Sequence, residues 1–245
     1  MDVTVWLVGI SALMTAIATG LGALPFLFFR NISSFWMGVA NAAAAGLMLG
    51  ASIGLVIEGS DYSVTRTMIG VVVGFAFILA SRQLFADNDD LHVGKLNGAD
   101  AFEALLILGI MTIHSFAEGV GVGVSYGGGA AFGELITIAI AIHNIPEGLA
   151  ISLVLIPRGV SVLRAAGWSI FSSLPQPIMA IPAFLFVTVF EPFLPVGLGF
   201  AAGAMVWMVF SELLPESLEE VSRPIAGISM TLAVIAMLAF QALIG

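Results

Sequence analysis

Charge enters this chain only in short bursts, and the apolar runs between them are too long for a soluble fold. Eight runs can be drawn, at residues 4–29, 33–59, 65–86, 100–126, 131–156, 160–188, 193–215 and 224–244. Each matches the ~20 residues that a helix needs to cross a ~30 Å hydrocarbon core. The breaks are Arg30-Asn31, Ser60-Asp61-Tyr62, Asp87 to Asp100, Gly127-Gly128-Gly129, Pro157-Arg158, Glu191-Pro192 and Glu216 to Arg223. Only 9% of the 245 residues are charged, against roughly 25% in a soluble domain. No wetted surface can be assembled from that, which excludes a soluble globule, a disordered chain and a coiled coil. The sequence predicts an all-α membrane protein of eight transmembrane helices, one polytopic domain over residues 1–245. It would lie in the cell membrane, or in an organelle membrane of a eukaryote. Little chain is left for a soluble domain, so function must sit inside the bundle.

The few cations test this division. Arg30, Arg82, Lys95, Arg158, Arg164 and Arg223 fall by odd-numbered loops, and Arg66 alone by an even one. Cytoplasmic loops concentrate Lys and Arg. Odd loops are therefore expected inside, with both termini on the outer side. The net charge of −9 and the absence of Cys argue against nucleic acid as a partner and against thiolate or disulfide chemistry. The first run lacks the basic leader of a signal peptide and reads as a span.

Small residues recur four apart at Gly46, Gly50 and Gly54, at Gly70 and Gly74, and at Gly199 and Gly203. Such rows let helix backbones approach closely in lipid. Gly46-Leu47-Met48 and Gly203-Ala204-Met205 hint at an internal repeat.

Ionisable groups deep in hydrocarbon mark function by default. Four stand out: His114 and Glu118, then His143 and Glu147. Glu212 is a fifth candidate, nearer the end of its run. Each pair has His at i and Glu at i+4, which puts both side chains on one helix face. His114 lies 13 residues before Gly127 and His143 14 after Gly129, so at 1.5 Å per residue both imidazoles sit about 20 Å from that turn. Two imidazoles and two carboxylates can converge there on a borderline divalent ion: Zn²⁺, or Fe²⁺, Mn²⁺ and Cd²⁺. Pro146, between His143 and Glu147, cannot donate to the Ile142 carbonyl, so a kink is expected beside the site. Gly119 and Gly148 follow each Glu and are expected to leave room there.

At these residues the chain resembles the ZIP (ZRT/IRT-like protein) family of metal-ion transporters. The matches are His114-Ser115-Phe116-Ala117-Glu118-Gly119, His143-Asn144-Ile145-Pro146-Glu147-Gly148, Gly203-Ala204-Met205 and Ser211-Glu212-Leu213-Leu214-Pro215-Glu216. The resemblance implies uptake of Zn²⁺ or a similar ion toward the cytoplasm, with His114, Glu118, His143 and Glu147 as the metal site. It implies a 3+2+3 arrangement, in which spans one, four, five and six move against spans two, three, seven and eight. Some members hold a second metal with Asn, Asp and Glu where this chain has Ser115, Asn144 and Gln176. Two carboxylates are thereby lost, and the expectation is one transport site, with those three as weak ligands or orienting groups. Ala117 replaces a Pro that many members carry. The acidic loop Asp87 to His92 lies where members often have a metal-collecting loop, but its composition reads as a solvated loop.

Three functions use such a site. The first is a secondary transporter for a divalent metal, which is its substrate, with no resident cofactor. The second is a carrier of opposite direction. The third is a membrane metalloenzyme, disfavoured because a His-Glu-x-x-His motif is absent and four protein ligands would fill the shell a catalytic zinc keeps open. The partners expected are the divalent ion and the lipid bilayer, and a homodimer remains open.

Overall fold

The computed structural model describes residues 3–29, 33–86, 99–156 and 158–244. The acidic loop at residues 87–92, Arg30, Lys95 and both extreme termini lie outside the described residues. The order of helices is α1 (Val5–Leu21), α2 (Ser34–Ala86), α3 (Ala99–Gly127), α4 (Ala130–Leu155), α5 (Val162–Ser173), α6 (Pro175–Val189), α7 (Leu194–Met208), α8 (Leu214–Glu220) and α9 (Arg223–Ile244). Short 3₁₀ turns cover Leu24–Leu27 and Glu191–Phe193, and a π turn at Val209–Leu213 joins α7 to α8. Six described segments are long and apolar enough to cross a membrane: Val5–Leu27, Ser34–Ala80, Ala130–Leu155, Val162–Val189, Glu191–Glu220 and Arg223–Leu243. The chain is an all-α, multi-pass membrane protein.

Its surface is inverted relative to a soluble domain. Trp6 and Phe28 are more than 80% exposed, whereas His114, Glu118, His143 and Glu147 are each 5% exposed or less. Outward apolar side chains are solvated by lipid, and polar ones must find partners within the bundle.

Local chemistry explains where the helices break. The Ser60-Asp61-Tyr62 break expected from sequence is helical, and the interruption is the single residue Ser63 at φ −170°, ψ 107°. A Cβ on Gly59 would lie 2.8 Å from the Thr67 hydroxyl. Eight residues of straight helix would separate these positions by about 12 Å, so the chain folds back at Ser63. Ser63 caps the returning arm, its hydroxyl accepting from the Arg66 amide at 3.4 Å and its carbonyl from the Thr67 hydroxyl at 3.0 Å. The α3–α4 reversal uses Gly129 at φ +124°, a conformation costly for any side chain with a Cβ.

The run expected at 160–188 is two helices, because Pro175 opens α6 and has no N–H to continue the α5 ladder. The run expected at 193–215 extends helically to Glu220, with the widened π turn immediately before Pro215. Pro215 cannot donate to the Ser211 carbonyl, and such lost bonds are where helices depart from the α register.

The glycine rows do what their spacing predicts. Cβ atoms on Gly70 and Gly74 would lie 2.1 and 2.0 Å from the carbonyls of Val196 and Phe200 on α7. Those on Gly199 and Gly203 would meet the carbonyls of Thr67 and Val71 on α2, both at 2.1 Å. A Cβ on Gly46 would likewise strike the Met230 carbonyl of α9. Only hydrogen fits at these crossings. Gly119 and Gly148 correct an expectation: their space is filled by neighbouring backbone, that of Gln176 on α6 and Thr19 on α1. The room they leave brings helices together instead of lying open beside the site.

Candidate metal centre

Helices α3 and α4 run antiparallel from the tight turn at Gly128-Gly129, so residues equally far from it stand side by side. His114 and Glu118 project from α3, and His143 and Glu147 from α4. Glu118 Oε1 lies 3.1 Å from His114 Nε2 and 2.5 Å from His143 Nε2. One ligand atom from each of His114, Glu118 and His143 lies within 4.8 Å of the others, a grouping able to hold a metal ion. The depth argument from sequence thus describes a real contact between the two helices.

Glu147 lies outside that close set, but it lines the same narrow cavity as His114 and His143. It is buried, and neither of its carboxylate oxygens has a hydrogen-bond partner. The Nδ1 atoms of His114 and His143 are likewise buried without a partner. A buried carboxylate with no donor near it costs several kcal/mol, roughly, unless a cation compensates. The donor set therefore fits a divalent ion better than it fits a closed internal network.

Further carboxylates continue the cavity. Its described lining includes Glu147, Glu212 and Glu216, with Asn41, Met48 and Met111 beside them, and no Lys or Arg. Glu212 is carried on the π turn and is 8% exposed. Asn41 donates to Glu216 Oε2 at 3.3 Å. Glu212 was visible in the sequence as a candidate. Asn41, Met48 and Met111 were not singled out as lining groups, because an uncharged residue in an apolar run carries no signal of the direction it faces.

The three substituted positions divide. The Gln176 side chain, fully buried, donates from Nε2 to Glu118 Oε2 at 2.6 Å. Its Oε1 accepts from Asn144 Nδ2 at 3.2 Å and lies 2.5 Å from the Thr15 hydroxyl. Asn144 Nδ2 also donates to the Thr15 carbonyl at 2.9 Å. Ser115 is buried, and its hydroxyl has no partner. Thr15 is the residue that sequence reasoning passed over.

Comparison with known proteins decides the family. The ZIP zinc transporter family model matches residues 87–244. The chain belongs to the ZIP family. It is 46% identical over 244 residues, 98% of its length, to an Arabidopsis thaliana protein described as a candidate zinc transporter. It spans 39% of the length of that relative. It is 33% identical to the zinc transporter GufA of Myxococcus xanthus over 85% of this chain and 87% of the other. It is 30% identical to the zinc transporter ZIPB of Bordetella bronchiseptica over 82% and 69% of the respective chains. The ZIP family model takes in both His/Glu pairs, Gln176 and the Glu212–Glu216 segment.

Proposed function

We propose that this chain carries a divalent transition-metal ion, Zn²⁺ foremost and Fe²⁺, Mn²⁺ or Cd²⁺ besides, across the membrane toward the cytoplasm by alternating access. One observation carries the reading: a buried carboxylate, Glu118, stands between two imidazoles from two helices, with the unpartnered Glu147 in the same cavity. His114, Glu118, His143 and Glu147 bind the ion in this reading, and two carboxylates neutralise its charge away from water. Zn²⁺ suits four nitrogen and oxygen donors. The relatives named as zinc transporters support the same choice of ion. With all four positions filled by protein, no site remains for a hydrolytic water, and the chain acts as a transporter and not as an enzyme.

The layout we propose has eight crossings in a 3+2+3 arrangement with both termini outside. The two arms of α2 make the second and third spans, α5 with α6 the sixth, and α7 with α8 the seventh. The transport unit is α1, α3, α4, α5 and α6, and the scaffold is α2, α7, α8 and α9. Glycine contacts support this division. Where an added Cβ would strike the backbone of another helix within 3 Å, both helices lie in one group: Gly46, Gly70, Gly74, Gly199 and Gly203 in the scaffold, and Gly22, Gly119, Gly123 and Gly148 in the transport unit. Glycines facing across the groups, Gly121, Gly128 and Gly197, meet side chains instead. Close-packed backbones within each group and looser contacts between them suit two bodies that shift against each other. The protein works in the lipid bilayer, alone or as a homodimer.

The test is uptake of radiolabelled Zn²⁺ into proteoliposomes. His143→Ala and Glu147→Ala should each abolish flux or reduce it severely while the protein still inserts, because each opens the shell and leaves charge uncompensated at depth. Wild-type flux by both variants would make these residues structural.

A further inference from the structure

The two oxygens of Glu118 have different partners. Oε1 faces His114 and His143, while Oε2 accepts from Gln176 Nε2 at 2.6 Å. The amide that caps Oε2 has an enforced polarity. Its Oε1 accepts from Asn144 Nδ2 at 3.2 Å, and the same Asn144 nitrogen donates to the Thr15 main-chain carbonyl at 2.9 Å. A carbonyl can only accept, so it requires the NH₂ of Asn144, which requires the oxygen of Gln176, which turns the NH₂ of Gln176 toward Glu118. Reversing Gln176 sets its oxygen against Glu118 Oε2 and its NH₂ against that of Asn144, and reversing Asn144 sets its oxygen against both the Thr15 carbonyl and Gln176 Oε1. The Thr15 hydroxyl adds a second donor to Gln176 Oε1 at 2.5 Å, its hydrogen shared with the Ala12 carbonyl at 2.7 Å. All four side chains, Thr15, Glu118, Asn144 and Gln176, are fully buried, so water does not compete. The relay is also fixed in space, since a Cβ on Gly119 would lie 2.5 Å from the Gln176 carbonyl. Helix α6 therefore sits directly on the helix that carries Glu118.

We propose that this relay makes Glu118 a one-oxygen ligand and thereby favours small, four-coordinate ions over larger ones. The proposal rests on the metal-site reading above and adds to it what sets the choice of ion. Zn²⁺ is satisfied by one oxygen from each carboxylate in a tetrahedral shell. A larger ion gains by taking both oxygens and raising its coordination number. Turning Oε2 toward the ion would strip Gln176 of its acceptor and leave a buried amide hydrogen unpaired. That penalty falls on the larger ion and not on Zn²⁺. Thr15, Asn144 and Gln176 act here as positioning residues, acting on the ion through Glu118.

The experiment uses the purified full chain in detergent, titrated with Zn²⁺ and with Cd²⁺ against a chromophoric chelator. Co²⁺ absorption serves as a second readout of coordination number. Gln176→Leu removes the amide while keeping bulk. It should lower the Zn²⁺ to Cd²⁺ affinity ratio about tenfold, equivalent to ~1.4 kcal/mol, at one ion per chain, and weaken the intense four-coordinate Co²⁺ band. Thr15→Val should move the ratio the same way by about threefold, or ~0.65 kcal/mol, and Thr15→Ser should restore it. An unchanged ratio in Gln176→Leu, or a ratio in Thr15→Ser as altered as in Thr15→Val, overturns the relay. If Gln176→Leu does not fold, the Thr15 pair decides alone. Binding in the wild type that survives Glu118→Ala would instead bring down the underlying site. Glu118-dependent binding with an unmoved ratio brings down only the relay.

Discussion

Replacing Glu118 by Gln changes one atom's chemistry and tests the centre from both sides. The carboxylate accepts on Oε1 beside two imidazoles and on Oε2 from Gln176. An amide offers one acceptor and one donor, so it can satisfy only one of those sides. With its oxygen toward the imidazoles, its NH₂ meets the NH₂ of Gln176, and a hydrogen bond to a charged group worth about 1.5–3 kcal/mol is lost. The ion also loses one of its neutralising charges. With its oxygen toward Gln176, the ligand itself is gone. The cheaper arrangement still costs about 3 kcal/mol in ion binding once the lost charge is added, which is ~100-fold in affinity. Chelator competition with Zn²⁺ on the purified Glu118→Gln protein measures this directly, with helix content by circular dichroism as the control for folding. Zn²⁺ affinity within about threefold of wild type, a difference under ~0.7 kcal/mol, would refute the placement of Glu118 at the ion.

Topology is tested by Asp2→Cys and Gly245→Cys, each the single thiol of its variant; impermeant reagent added outside should label both, and labelling only from the cytoplasm would overturn the layout. Asn144→Asp alone should lose metal affinity, because it puts oxygens against the Thr15 carbonyl and Gln176 Oε1. Asn144→Asp with Gln176→Glu restores the carboxylates that a second ion needs and should raise bound metal from about one toward about two per chain; two well-occupied ions in the unaltered protein would sink that account. Gly148→Val should lower the unfolding temperature sharply, since its Cβ would fall within bonding distance of the Thr19 carbonyl and overpacking costs about 1–3 kcal/mol or more. Gly227→Ala, where nothing lies within 4 Å, should leave it unchanged or higher, and equal losses in both would refute the close-approach argument.

The grouping of Glu118 with His114 and His143 was legible because its signal is local and periodic. Two His/Glu pairs at i, i+4, placed symmetrically about three glycines, specify facing helices at one depth without further information. The reversal at Ser63 was harder to place. Ser60-Asp61-Tyr62 looks like a loop by polarity, yet all three are helical and a single serine turns the chain. Polarity marks where a helix nears the membrane surface, and capping decides where it stops. Pro175 and Pro215 were visible, but whether a proline kinks, widens or opens a helix depends on neighbours that re-satisfy the freed carbonyls. Thr15 gave no sign at all. A threonine in an apolar helix ordinarily bonds its own preceding turn, and Thr15 does so with Ala12. Its second partner, Gln176, lies 161 residues away, and only the packing of α1 on α6 brings the two together.

The glycine contacts carry a consequence for friction. Where a Cα rests on a facing carbonyl, as Gly74 does on Phe200 or Gly148 on Thr19, neither helix can slide without backbone striking backbone. Such a crossing behaves as a weld. At the seam, Gly121 meets the methyl of Ala201, Gly197 the side chain of Val124 and Gly128 the carboxylate of Glu58. These are side chains, which can shift by small torsional changes where a backbone carbonyl cannot, and a methyl presents a smooth bump with no hydrogen bond to break. In the two-body reading proposed above, the welds set how much of the bundle travels as one piece, and the side-chain seam sets how little resistance that travel meets.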